Sequence, residues 1–244
     1  ADHAGAKMAK PARMKRFYKD VRPVQTGIGW QVELDGRPMK TQGGAPQIVP
    51  GEKLSRLLAA EWSNQGDEID PRSFRHRDMA DYAIDTIAPD RGAAVDALLR
   101  YAETDTLCYR AGPAEALWKR QHEVWEPLLT AFEDREGVKM QRVSGIIHRP
   151  QDPRAIKAIR VRLHELDDFS LAALITLTSL TTSLVIGLAA LDGTDGEFLW
   201  SIANLEEEWQ AELWGSDEEA LARRQMRKGE FLAALEFARA AAAA

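Results

Sequence analysis

The sequence has little cysteine: Cys108 is the only one among 244 residues. That single count removes a disulfide framework and a thiolate zinc cluster, and it fits a reducing compartment, with Cys108 read as a small buried hydrophobe. Glycine and proline stand at ordinary levels and no fixed period repeats, which excludes collagen-like and solenoid architectures. The opening stretch, residues 1–15, is basic and lacks an apolar core of the secretory type, so a flexible arm is expected there rather than a signal. One uncharged run, Phe169 to Leu191, is long enough to span a bilayer. Its seven Ser or Thr residues and its acidic flanks, Asp167-Asp168 and Asp192, argue instead for one buried central helix without membrane insertion.

Catalytic spacings are also missing. The five histidines form no H-E-x-x-H, and Lys119, Gly145 and Val161 stand three residues before His122, His148 and His164 where a di-iron bundle needs Glu. Gly27-Ile28-Gly29 runs into Trp30-Gln31 rather than a third glycine, and neither a Walker lysine nor G-x-S-x-G occurs. Asp167-Asp168 and Asp192/Asp195 would sit at opposite ends of a helix roughly 35 Å long, too far apart to share a magnesium ion. The expectation is therefore no catalytic residue, no cofactor and no metal, and the acidic balance disfavours nucleic acid.

What is present is a globular composition, 45% hydrophobic with seven tryptophans, enough for one large domain or two unequal ones. Trp30, Val32 and Leu34, with Ile28 before them, alternate with polar residues as in a half-buried strand, and Asp35-Gly36 supplies a hairpin turn. Phe17–Val21, Met39-Lys40 and Ile48-Val49 fit flanking strands, and Leu54, Leu57, Leu58 and Trp62 mark a covering helix closed by Gly66. Strand signals then fade. Helical stripes follow around Met79–Ile87, Val95–Tyr101, Leu117–Phe132, Ile156–Leu166 and Leu221–Ala238, with Pro127 expected to kink or restart its helix and Val138–His148 expected as a hairpin or extended excursion. Phe198, Ile202, Leu205, Trp209 and Leu213 predict another continuous stripe, with Trp209 in the core. The fold class is thus α+β, a small N-terminal β-domain over 16–77 followed by a larger all-helical C-terminal domain over 78–240, and an alanine tail at 241–244.

Charge is distributed unevenly. Between Leu163 and Ala222 there are thirteen acids and neither Lys nor Arg, while the 32 bases all lie elsewhere against the other 25 acids. Such asymmetry points either to a partner selected by field or to a merely solvated acidic face.

Several phrases together resemble a known family: Arg16-Phe17-Tyr18-Lys19; Gly29-Trp30 with Leu34-Asp35-Gly36-Arg37-Pro38 and Lys40-Thr41; Glu61-Trp62 with Gln65; Thr104-Asp105 with Leu107-Cys108-Tyr109-Arg110; Arg120-Gln121 with Trp125-Glu126-Pro127-Leu128-Leu129; and Glu206, Gln210 and Trp214-Gly215. The family is the assembly chaperone of the F-type ATP synthase head that binds the unassembled α subunit, known in mitochondria and some bacteria. The resemblance implies the same two-part fold and an ATP-independent, monomeric holdase that shields the α subunit's interface, in a bacterial cytoplasm or a mitochondrial matrix. It also implies partner-binding roles for Glu206, Gln210, Trp214, Asp217, Glu218 and Glu219. For Glu206 an internal bridge or cap is the alternative, and Gln121 is expected to join two helices. Gly29 and Gly36 are assigned to turns and Trp30 to the core, while Arg37 and Lys40 either extend the client surface or are solvated. The family pattern continues after Lys40-Thr41 with Pro, where Gln42 stands here. Two other classes compete: a hydrolase or lyase with a carboxylate pair among Glu206, Glu207, Glu212 and Asp168, and a general anti-aggregation protein.

Overall fold

The computed structural model describes residues 13–244, so most of the expected basic arm lies outside the described residues. Three strands open the fold, β1 (Val21–Gln25), β2 (Trp30–Leu34) and β3 (Arg37–Pro38), in the antiparallel order β1-β2-β3. Val21 lies opposite Leu34 and Gln25 opposite Trp30. Asp35 and Gly36 both take positive φ, as a two-residue hairpin turn requires. The Asp35 carboxylate accepts the backbone N–H groups of Lys19 and Asp20, which hold its pKa below the usual range. The flanking strands differ from expectation. β1 begins where Phe17–Val21 was to end, and Ile28 is 82% exposed because the alternating face starts only at Trp30. Val49 closes the sheet by exchanging both backbone hydrogen bonds with Trp30, and a Cβ on Gly29 would meet the Val49 carbonyl at 2.6 Å.

Helix α1 (Glu52–Ser63) lays Leu54, Leu58 and Trp62 on this sheet. Trp62 packs edge-on against Tyr18 and tilted against Phe74, at 5.6 and 4.5 Å between ring centres. Glu61 then reaches the start of α2 (Arg75–Tyr82), accepting the N–H groups of His76 and Arg77 at 2.8 and 2.7 Å. It supplies the cap that Phe74, at the N-cap position, cannot. The loop after β3 is fastened to the same region, since Asp81 accepts from the Gln42 and Gln47 side chains and Asp85 from Thr41 Oγ1.

The helical part continues with α3 (Arg91–Glu103), β4 (Tyr109–Arg110), α4 (Ala116–Glu136), β5 (Val143–Ser144) and α5 (Pro153–His164). Pro127 does not restart its helix: α4 runs unbroken through it for 21 residues. The excursion after α4 forms no hairpin; β5 pairs in parallel with β4, Tyr109 opposite Val143.

The predicted single central helix is two, α6 (Asp168–Thr181) and α7 (Leu184–Leu191). Thr182 turns left-handed at φ 49°, Ser183 Oγ caps Ile186, and the buried Asp105 carboxylate accepts the Val185 N–H. A run of hydroxyl side chains gives the backbone alternative partners there, and the helix breaks. The predicted Phe198–Leu213 stripe is likewise divided, between α8 (Gly196–Ala203) and α9 (Leu205–Trp214). Helix α10 (Glu218–Ala242) crosses α6 and returns to the sheet region, burying Ala240 and Ala241 and bringing Ala244 beside Gly51. One continuous core runs from Tyr18 and Val32 to Ala241, and no helix among the described residues is long and apolar enough to cross a membrane.

Candidate protein-docking surface

Helix α9 buries only its first residue, Leu205. The rest of a ten-residue helix that is half apolar by composition is half-buried or exposed, a poor arrangement for a helix stabilised by packing alone. Trp214 is 85% exposed and Leu213 59%, and on the neighbouring elements Phe198, Leu221 and Met226 are exposed as well. Trp209, expected in the core, is only half-buried. The reason is the break at Asn204, which lets α9 leave the line of α8, so the residues of one predicted stripe no longer share a neighbour.

Two contacts anchor α9. Gln121, fully buried on α4, accepts the Ala111 N–H with its carbonyl and donates through Nε2 to Glu206 Oε1 at 2.6 Å. The second is the pairing of Glu208 with Arg224 of α10, and one turn further along α4 Trp125 Nε1 fastens the preceding α8 by donating to the Ile202 carbonyl at 3.0 Å. Glu206 is therefore an exposed residue with one oxygen turned inward, and desolvation raises its pKa. Gln121 joins two helices as its spacing implied.

The six residues assigned to a partner fall into two groups. Gln210, Trp214 and Asp217 line one shallow hollow of about 260 Å³ in the α9–α10 turn, together with Glu207 and Leu221. Glu206 lies outside it against α4, and Glu218 and Glu219 stand on the first turn of α10. Asp217 also has a local task, capping α10 by accepting the Ala220 N–H at 2.6 Å, and Glu219 pairs with Arg223 at 2.6 Å on the exposed side. Gly215, at φ 78°, makes the turn. The product is a helical hairpin with an apolar end and an acidic surround.

Two carboxylates of the enzyme alternative, Asp168 and Glu206, are held by different partners on different helices. Asp168 starts α6 and pairs with Arg91, whereas Glu206 starts α9 and bonds Gln121. Among the described residues no group of His, Cys, Asp or Glu is disposed to hold a metal ion. Sequence reasoning passed over the polar frame behind the hairpin. Arg110, buried, pairs with Glu126 at 2.5 Å; Arg142 pairs with Glu126 and with Glu133, both at 2.7 Å; and this ties β4, α4 and β5 together. Arg142 follows Glu133 and Glu126 by only 9 and 16 residues, but no sequence signal marks the parallel β4–β5 pairing that turns it back onto α4.

Residues 15–133 match the family described as ATP12 chaperone protein. The solved structures of Atp12 from Paracoccus denitrificans and of a point mutant of it each superpose with a TM-score of 0.88 at 35% identity, over 93% of this chain and 98% of theirs. The chain belongs to the ATP12 chaperone family. A protein of Agrobacterium tumefaciens superposes on this ATP12 chain with a TM-score of 0.89 at 40% identity, covering 93% of this chain and 85% of the other. The mitochondrial Atp12 protein of Schizosaccharomyces pombe is 28% identical over 234 residues, 89% of this chain and 79% of that one. The chain is thus an ATP synthase assembly chaperone by family.

Most of the ATP12-like phrases prove to be joints of the framework. Glu61 caps α2, Gln65 holds the Glu61 carbonyl, the Ser73 hydroxyl and the Asp70 N–H, Asp105 caps the buried α7, and Gln121 and Trp125 fasten α8 and α9 to α4. The hairpin over Glu206 to Glu219 lies beyond the matched residues 15–133.

Proposed function

We propose that this ATP12 chaperone binds the free α subunit of the F-type ATP synthase head and shields its subunit interface until assembly. It works as a monomer without ATP, in a bacterial cytoplasm or a mitochondrial matrix. The single observation that carries the choice of surface is the exposure of Trp214 at the end of a hairpin otherwise rich in carboxylates.

The physical logic is that of a displaceable cover. An orphan subunit exposes apolar area at a cost of about 25 cal/mol per Å², so a chaperone must cover some of it without matching the final interface in strength. A tryptophan supplies one large apolar anchor, and the carboxylates of Glu207, Glu212 and Glu218 on the same hairpin, with the free oxygen of Glu206 at its far end, speed and orient encounter with basic groups of the client. Gln210 beside Trp214 adds an adaptable hydrogen-bonding group in the same hollow.

The test is co-purification of the full chain with the isolated α subunit, with the β subunit and an unrelated aggregating protein as controls. Selective retention of the α subunit is the expected outcome; equal protection of all three would favour a general anti-aggregation protein instead. Trp214→Ala is expected to weaken retention by about 2 kcal/mol, the range of an interfacial hot spot. Glu206→Lys is expected to weaken it as well while leaving the thermal midpoint within a few degrees of wild type. Unfolding of the lysine variant would assign Glu206 to the framework through Gln121.

A further inference from the structure

A second surface remains after the hairpin is accounted for. A groove of about 1190 Å³ runs between α1 and α2 on one side and α6 and α10 on the other, far larger than the shallow hollow beside Trp214. Its volume exceeds that of drug-sized pockets, roughly 300–1,000 Å³, and suits a segment of chain. Apolar side chains from three elements meet in it: Met79 and the exposed Tyr82 from α2, the partly buried Ile175 from α6 and the exposed Met226 from α10.

The α10 wall repeats at helical spacing. Met226, Glu230, Ala233 and Glu236 follow one another at four, three and three residues, all facing the groove. They extend over roughly 15 Å, about three turns. Glu230 makes no ion pair among the described residues, and Glu236 faces only His76, whose Nε2 lies 3.6 Å from it. Burial holds the His76 pKa below its usual value, so it leaves Glu236 uncompensated at neutral pH. Asp70 is paired with Arg72 and Asp78 with Arg77, and Arg75, without a carboxylate partner among the described residues, reaches over to Gly229 of α10, where a Cβ would meet its Nη1 at 2.8 Å. Of the five lining acids, Asp70 and Asp78 are paired and Glu61 caps α2, which leaves Glu230 and Glu236 on the α10 wall.

We infer that this groove holds a basic amphipathic helical segment of the client, its apolar face on Met79, Ile175 and Met226 and its cations on Glu230 and Glu236. This rests on the reading of the chain as a client-binding chaperone and adds a second contact to it. The groove is walled by helices and by the turn Asp70–Ser73 between α1 and α2, with no strand edge to extend, so the occupant is read by side chains at helical spacing rather than by added β pairing.

The experiment uses the full chain and two synthetic peptides of about four helical turns, one of Lys and Leu and one of Glu and Leu in the same amphipathic pattern. Binding is followed through the methyl resonances of Met79, Ile175 and Met226. The Lys/Leu peptide is expected to shift these methyls and to bind about tenfold more tightly than the Glu/Leu peptide. Glu230→Gln with Glu236→Gln, checked by thermal melt, is expected to lose that advantage. Equal binding of the two peptides, or shifts confined to Leu213 and Leu221 on the hairpin, would overturn the inference. A second arm measures retention of the isolated α subunit. Retention by wild type that drops severalfold in the double variant supports the groove as a client contact, and undiminished retention overturns it. Failure of wild type to retain the subunit at all defeats the client assignment, while the peptide result still decides whether the groove takes a basic helix.

Discussion

Two carboxylates, the buried Asp105 and the half-buried Glu61, each hold this fold at a single point. Asp105 is fully buried and accepts from Leu107 N–H at 3.0 Å, Ser183 Oγ at 2.7 Å and Val185 N–H at 2.9 Å. Removing such an acceptor strands several buried donors at once, so Asp105→Ala is expected to destabilise by about 3 kcal/mol or more in urea unfolding. Glu61 is the second, and burial lifts its pKa to about 7, against the pull of the His76 and Arg77 amides. Because the native carboxyl binds its proton more tightly than the unfolded one, its contribution is full below about pH 4.5 and is lost as pH rises through about 7. Buried His76 acts in the opposite direction, its folded pKa being lowered. The clean measurement is therefore the difference in stability between wild type and Glu61→Gln. It is expected to fall as pH rises from about 4.5 to about 7, and a flat difference would show that Glu61 does not titrate in that window.

At the scale of elements, the outcome turns on who satisfies each helix end. Helices α6 and α7 separate because Ser183 and Asp105 together offer a better start for α7 than continuation would. Helix α9 is the opposite case, a short element with one buried residue and a single buried side chain, Gln121, reaching across to it. Gln121→Leu keeps the volume of the α4 stripe but frees Glu206 and strands the Ala111 N–H. Hydrogen exchange is expected to show faster amide exchange through Leu205–Trp214 with α4 and α6 still protected. Uniform loosening across the molecule would mean that the bond serves the core rather than the hairpin. The apolar periodicities of α1, α4, α5 and α10 were legible because burial follows period on one element, whereas Trp209 and Leu213 misled because a break at Asn204 re-aimed the second half of the stripe.

For the whole molecule, folding pairs five of the thirteen acids in the acidic block. Asp168 pairs with Arg91, Asp192 with Arg135 and Arg162, Glu197 with Lys228, Glu208 with Arg224 and Glu219 with Arg223. Of the eight without an ion pair among the described residues, Glu165, Asp167 and Asp195 stand at other helix ends, while Glu206, Glu207, Glu212, Asp217 and Glu218 lie on α9 and at the start of α10. If they steer client capture, the association rate should fall by about tenfold between low and high ionic strength, with a much smaller change in dissociation rate. Glu207→Lys with Glu212→Lys should remove most of that salt dependence, and stopped-flow association with the isolated α subunit measures it directly.

The sequence by itself determined the α+β class, the Asp35-Gly36 hairpin, the covering helix and the membership suggested by its ordered phrases, because each depends on residues within a turn or two of one another. Tertiary structure alone decided which acids remain free, where the long apolar runs break and that Met79, Ile175 and Met226 line one groove. Those outcomes depend on partners such as Arg91 and Asp168, 77 residues apart, and Gln121 and Glu206, 85 apart. A charge or an apolar stripe is visible along the chain, but whether it is neutralised, capped or covered is settled by what the fold places against it.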